Sequence, residues 1–153
     1  MSIKFCITLT TIPSRLKDIN KTIESIEKQT VKPDKIFINI PNEYYRFPNI
    51  KILDEELDII KSKLVEVNRC KDYGPATKIM GSLNKVRDYD CAIIIDDDHL
   101  YNSKFCEILI NEFKKDKKNY SFYTQKIFEI SMAQCADGFL INCKHLDKIN
   151  TFY

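Results

Sequence analysis

Ala92-Ile93-Ile94-Ile95 runs straight into Asp96-Asp97-Asp98, and the reading of this junction decides the rest of the chain. Four apolar residues without alternation fit a central strand of a parallel sheet covered on both faces. Side chains alternate along an extended segment, so Asp96 and Asp98 are expected on one side and Asp97 on the other. Two carboxylates held that close repel unless a cation, a proton or water screens them. Hard oxygen ligands of this kind suit magnesium, manganese or calcium. Ligands of open α/β sheets collect at the carboxyl ends of such strands. The plainer alternative is a solvated acidic turn that closes the strand.

Working outward, the same alternation of apolar strands and amphipathic helices recurs. Ile3 to Thr10 reads as a strand, and Leu16, Ile19, Ile23 and Ile26 have the spacing of a helix that starts at Pro13 or Ser14 and ends near Thr30. Lys35 to Ile40 is a second strand stopped by Pro41-Asn42. A loop over 42–51, a short helix over 52–60 and a strand over 63–67 follow. Tyr73-Gly74-Pro75 opens a helix whose apolar stripe is Ile79, Leu83 and Val86, and Asp90 to Asp96 forms the acidic strand. Asn102 or Ser103 caps a helix carrying Phe105, Leu109 and Phe113, and it frays in the lysines of 114–118. Tyr120 to Thr124 and Gly138 to Cys143 are the last strands expected. The pattern predicts an α/β fold with a mostly parallel central sheet flanked by helices.

That topology places three polar turns on one rim: Thr8 to Arg15, Arg69 to Lys78, and Asp96 to Tyr101. The first offers hydroxyls at Thr8, Thr10, Thr11 and Ser14 beside Arg15 and a helix start whose amides favour anions. The second offers Arg69, Asp72 and Lys78, with Gly74 permitting close backbone approach. Together with the carboxylates, these turns form a place for a diphosphate bridged by a metal, with Asp72 accepting from a base or ribose.

With 153 residues, 44% of them hydrophobic and 11% aromatic, the chain supports one domain with its own core, spanning 1–153. Lys and Arg total 24 against 22 Asp and Glu, and a formal charge of +2 gives no electrostatic case for a nucleic-acid partner. Met1 leads directly into a strand-like run without a signal-peptide core, and no stretch approaches the roughly 18 apolar residues that cross a bilayer. A cytoplasmic location is the expectation. Cys6, Cys70, Cys91, Cys106, Cys135 and Cys143 show no metal-site spacing, so they are expected as reduced, structural thiols.

The opening "ITLTTIPSR", the segment "DYGPATK" from Asp72 to Lys78 and the strand end "IIIDDDHLY" together resemble the nucleotide-sugar glycosyltransferases of Rossmann-like GT-A fold, with the aspartates as their D-x-D motif. The resemblance, of the family 2 type, spans nearly the whole chain. It implies a metal-dependent transfer of a sugar from a nucleoside-diphosphate donor, a UDP-sugar, to a hydroxyl of a glycan or other acceptor. It implies that Thr10, Ile12 and Arg15 border the nucleotide, that Asp72 lies near the base, and that Gly74 and Lys78 lie near ribose or phosphate. Asp96 would contact the ribose or the metal shell, Asp97 would border the donor, and Asp98 with Asp96 would hold Mn2+ or Mg2+.

Relatives of this type continue beyond the stretch "ADGFLIN", Ala136 to Asn142, into an acceptor-binding segment with a further acidic motif, whereas this sequence stops at Tyr153. Asp137 is the one acidic residue of that stretch nominated as base, although Asp-Gly is also an ordinary turn signal. His99 reads as a solvent-facing turn residue or an outer neighbour of the metal. A short domain with an uncovered sheet edge has reason to form a homodimer. Two other readings stand beside the transferase. One is a catalytically inactive nucleotide-sugar-binding module, and the other a haloacid-dehalogenase-type phosphatase with Asp96 as nucleophile and Asp98 as acid.

Overall fold

In a computed structural model, which describes residues 2–122, 124–127, 130–133 and 137–147, the first apolar run forms the strand Phe5–Thr10 (β1). A 3-10 turn, Pro13–Asp18, leads into the helix Ile19–Glu27 (α1), and Lys35–Pro41 forms the next strand (β2). The helix expected over 52–60 is a 3-10 stretch, Glu55–Ile59. The strand expected at 63–67 lies two residues later, at Val65–Cys70 (β3), because Val65 bonds back to Ser62 in a turn that uses up the first residues.

The helix expected after Tyr73 is broken into two short ones, Thr77–Met80 (α2) and Leu83–Val86 (α3), with Gly81-Ser82 between them. Cys91–Ile94 (β4) precedes the aspartates, and Phe105–Asp116 (α4) ends at Lys117 in the left-handed conformation. Tyr120–Ser121 (β5) is shorter than expected, and Tyr123 lies outside the described residues. The strands Thr124–Ile127 (β6) and Ile130–Ala133 (β7) pair with each other, and Phe139–Asn142 (β8) completes the set. Sequence reading gave no sign of β6 and β7, whose connection carries none of the Asn, Asp or Gly residues that mark a tight hairpin.

The main sheet has the order β3-β2-β1-β4-β8-β5. Its first four strands are parallel and β8 runs antiparallel between β4 and β5. Alternation splits the core into two layers. Phe5, Ile7 and Leu9 of β1 join Ile36, Ile38 and Ile40 of β2 and Ile93 of β4 under α1 and α4. Cys6, Phe37 and Ala92 face the other way, onto Leu83, Val86 and Leu146. Helices therefore flank both faces, which accounts for the near-continuous burial of β1, β2 and β4.

Cys6, Cys70, Cys91, Cys106 and Cys143 are free thiols among the described residues, while Cys135 lies outside them. Desolvation pushes Cys70 up to about 11 and Cys106 and Cys143 up to about 12, so they remain protonated and inert at neutral pH. No helix among the described residues is long and apolar enough to cross a membrane.

Candidate functional site

From β1 the chain moves outward through β2 to β3, then returns to the other side of β1 as β4. The crevice between the carboxyl ends of β1 and β4 is thus a topological switch point, where the loops after the two strands diverge and leave room for a ligand. A cleft of about 340 Å³ opens there, lined by Thr10, Thr11, Ile12 and Arg15 after β1, by Pro41, Tyr44, Arg46 and Phe47 after β2, by Asp72, Gly74, Pro75, Thr77 and Lys78 after β3, and by Asp96, Asp97 and Asp98 after β4. All three polar turns reach it. A larger cavity of about 600 Å³ lies beside β3, lined by residues such as Asn68, Arg69, Tyr73 and Lys85 but by no carboxylate. The carboxylates and their cationic partners are gathered in the smaller cleft.

The three aspartates have separate surroundings. Asp97, only 7% exposed, accepts from the Thr11 hydroxyl at 2.6 Å and from Arg15 at 3.0 Å, so it ties the two loops together from inside. Asp96 is ion-paired with Lys78, and Asp98, 45% exposed, lies 3.1 Å from the second guanidinium nitrogen of Arg15. Each outward carboxylate is therefore matched by a cation on the opposite wall. Asp96, Asp98 and His99 each offer one ligand atom within 4.8 Å of the others. The two hard carboxylate oxygens, open to solvent on one side, form a donor pair that fits Mn2+ or Mg2+.

Several side chains hold this loop still. The Thr22 hydroxyl of α1 shares its one hydrogen between the carbonyls of Asp97 at 2.8 Å and His99 at 2.9 Å. Gln29, at the end of the same segment, donates to the Asn102 carbonyl and accepts from the Cys106 amide, one of the donors that the start of α4 leaves unpaired. The Tyr101 hydroxyl accepts from the Asp96 amide at 3.0 Å, and burial raises its pKa well above the usual tyrosine range, so it stays protonated. Under α2, Asn39 and Thr8 both bond to the Lys78 carbonyl, which fixes the backbone from which Lys78 reaches Asp96.

Some expectations change. The hydroxyls of Thr8, Thr10 and Thr11 are engaged inside the protein, on the Lys78 carbonyl, the Asn39 carbonyl and Asp97. The helix starts invoked there are a 3-10 turn and a four-residue helix, which carry little aligned dipole. Arg69 pairs with Asp54 and lines the other cavity. Asp72 caps its own turn, accepting from the amides of Tyr45 at 2.9 Å and Gly74 at 2.7 Å, with Gly74 at φ +58° where a side chain would be strained. Asp137 does not line the cleft; its carboxylate faces His99 at 3.5 Å.

No family model matches the chain, and no curated protein sequence matches it. Among solved structures, S. aureus TarS 1-349 superposes with a TM-score of 0.62 at 12% identity, over 99% of this chain and 50% of that one. The fold is GT-A-like. 4-Diphosphocytidyl-2C-methyl-D-erythritol synthase from Anaerococcus prevotii superposes with a TM-score of 0.61 at 11% identity, over 97% of this chain and 76% of that one. At such identities the likeness concerns the fold, and the chain spans half the length of the TarS fragment it matches.

On this GT-A-like sheet the residues that sequence reading passed over are Thr22, Gln29, Asn39 and Tyr101 as positioning groups and Tyr44 and Phe47 as cleft wall. Tyr44 is placed by its hydroxyl, which donates to the Thr11 carbonyl at 3.0 Å. The one signal available was the helical spacing of the polar residues Thr22, Ser25 and Gln29 beside the apolar stripe Ile19, Ile23 and Ile26.

Proposed function

We propose that this protein is a metal-dependent glycosyltransferase that moves a sugar from a nucleoside-diphosphate donor, a UDP-sugar, to an acceptor hydroxyl. The observation that carries the reading is the meeting of Asp96, Asp98, Arg15 and Lys78 in one cleft at the switch point of the sheet. Isolated carboxylates would suit a cation and isolated cations would suit an anion. Both signs alternating across a cleft suit a diphosphate with a divalent ion.

In this reading the base lies between Pro41, Tyr44 and Phe47, where Asp72 retains a lone pair on Oδ2 for an N–H of uracil beyond the two amides and the Thr77 hydroxyl it already serves. Arg15 and Lys78 take the phosphate oxygens and exchange their carboxylate partners for the donor. Asp96 and Asp98, released from those pairs, would hold Mn2+ or Mg2+. When bound, that ion neutralises the charge that develops on the departing nucleoside diphosphate. Thr11 and Thr22 keep the acidic loop from reorganising as charge moves, so little of the barrier goes into rearranging it. Asp137 stands off the cleft wall, and the proposal gives it no role as base.

The test is release of nucleoside diphosphate from a panel of UDP-, GDP- and CDP-sugars with Mn2+ and with chelator. The expected result is UDP release from at least one UDP-sugar, at least about 10-fold above the chelated control, as loss of one strong electrostatic stabiliser predicts. The second reading, a binding module without turnover, draws on the position of Asp137 outside the cleft. Metal-dependent UDP binding with no release from any donor would favour it over the transferase.

A further inference from the structure

His99 is the side chain that neither the D-x-D resemblance nor the proposed reaction uses. Its ring stands between two carboxylates. Nδ1 lies 3.7 Å from Asp98 and Nε2 lies 3.5 Å from Asp137. The backbone under it is pinned by the bond from Thr22 to its carbonyl, and the ring leans on Tyr101 with centroids 5.9 Å apart. Asp137 is equally constrained. Gly138 beside it has φ +100°, and a Cβ there would run into the ring of Phe105, which itself packs on Tyr101 at 4.5 Å. The turn carrying Asp137 is therefore pressed against the same aromatic stack that supports His99.

An imidazole with one nitrogen at a metal-binding carboxylate and the other on a second carboxylate has the arrangement of a metal-ligating histidine. The outer carboxylate fixes the tautomer and strengthens the ligand. We propose that His99 donates Nδ1 to the cation held by Asp96 and Asp98, and that Asp137 is a positioning residue that orients the ring through Nε2. The inference rests on the proposed metal-dependent reading and adds the chemistry of its ion. A set of two oxygens and one imidazole nitrogen favours Mn2+ over Mg2+ and Ca2+, which prefer oxygen alone. The Asp-Gly turn then has a function other than that of a catalytic base.

The chain has two histidines, and the other, His145, sits beside Asn119 at 3.1 Å. A nitrogen signal from a bound ion can therefore be assigned. Pulsed electron paramagnetic resonance of the protein with Mn2+ and UDP is expected to show nitrogen-14 modulation from a coordinated imidazole. His99→Gln should remove the modulation and weaken Mn2+ at least about 10-fold while changing Mg2+ affinity much less. Asp137→Asn should keep the modulation and weaken Mn2+ about 10-fold, in the range for lost outer partners. Mn2+ bound without modulation, or modulation that persists in His99→Gln, would overturn the inference and leave the transferase reading intact. Absence of Mn2+ binding in wild type, with or without UDP, would overturn both.

Discussion

Asp98→Ala is expected to abolish metal-dependent binding of UDP while leaving the fold intact. Asp98 supplies one of two outward carboxylates and its contacts within the protein are to Arg15 and His99 on a half-exposed surface. Exposed ion pairs of this kind contribute about 0–1 kcal/mol, so the melting temperature should move by only a few degrees. Removing an outer-shell partner typically costs 10–100-fold in metal affinity, and a direct ligand costs at least the upper end, roughly 100-fold. Calorimetric titration of UDP in Mn2+ should show that loss in the variant, with the binding left in chelator unchanged. Equal affinities for variant and wild type in Mn2+ would exclude Asp98 as a ligand.

Asn39→Ala is expected to have the opposite signature, with stability and nucleotide affinity falling together. Asn39 is fully buried, and its amide nitrogen lies within hydrogen-bond reach of the Lys78 carbonyl at 2.9 Å, Thr8 at 3.1 Å and Ser82 at 3.2 Å, while its oxygen accepts from Asn68 at 3.3 Å. Truncation removes these contacts together from beneath α2 and α3 and leaves the buried Asn68 amide without its acceptor, and a buried unsatisfied group costs about 1–3 kcal/mol before the cavity is added. A loss of roughly 2–4 kcal/mol, or about 5–15 °C in melting temperature for a chain of this size, follows. Because the same bonds hold the backbone of Lys78, phosphate binding should weaken as well. A variant that melts within about 2 °C of wild type would show that this buried network does not anchor the helices.

The two effects also mark what the sequence discloses. The acidic strand end, the alternating order of strands and helices and the three polar turns were legible because burial leaves a period in the residues: four apolar side chains before Asp96, or Leu16, Ile19, Ile23 and Ile26 on one helix face. The partners of single polar side chains were not. Thr22 reads as a neutral helix residue, yet it holds two carbonyls of the acidic loop. Thr8, Thr10 and Thr11 read as a ligand-binding cluster, yet each is satisfied inside the protein. Such contacts join loops far apart in the chain, and local spacing carries no record of them. The break between α2 and α3 was hidden for a related reason: Ile79, Leu83 and Val86 keep helical spacing across it. His99 and Asp137 each looked like turn residues, and only the meeting of the β4 and β8 ends sets one against the other.

The central claim is that the paired carboxylates after β4 hold a cation against a diphosphate bound between Arg15 and Lys78. A crystal structure of the protein grown with UDP and Mn2+ tests it most directly. The account predicts an ion touching Asp96 or Asp98 and both phosphates, with the base against Tyr44 and Phe47. An ion-free acidic pair, or a nucleotide seated in the cavity beside β3, would contradict it.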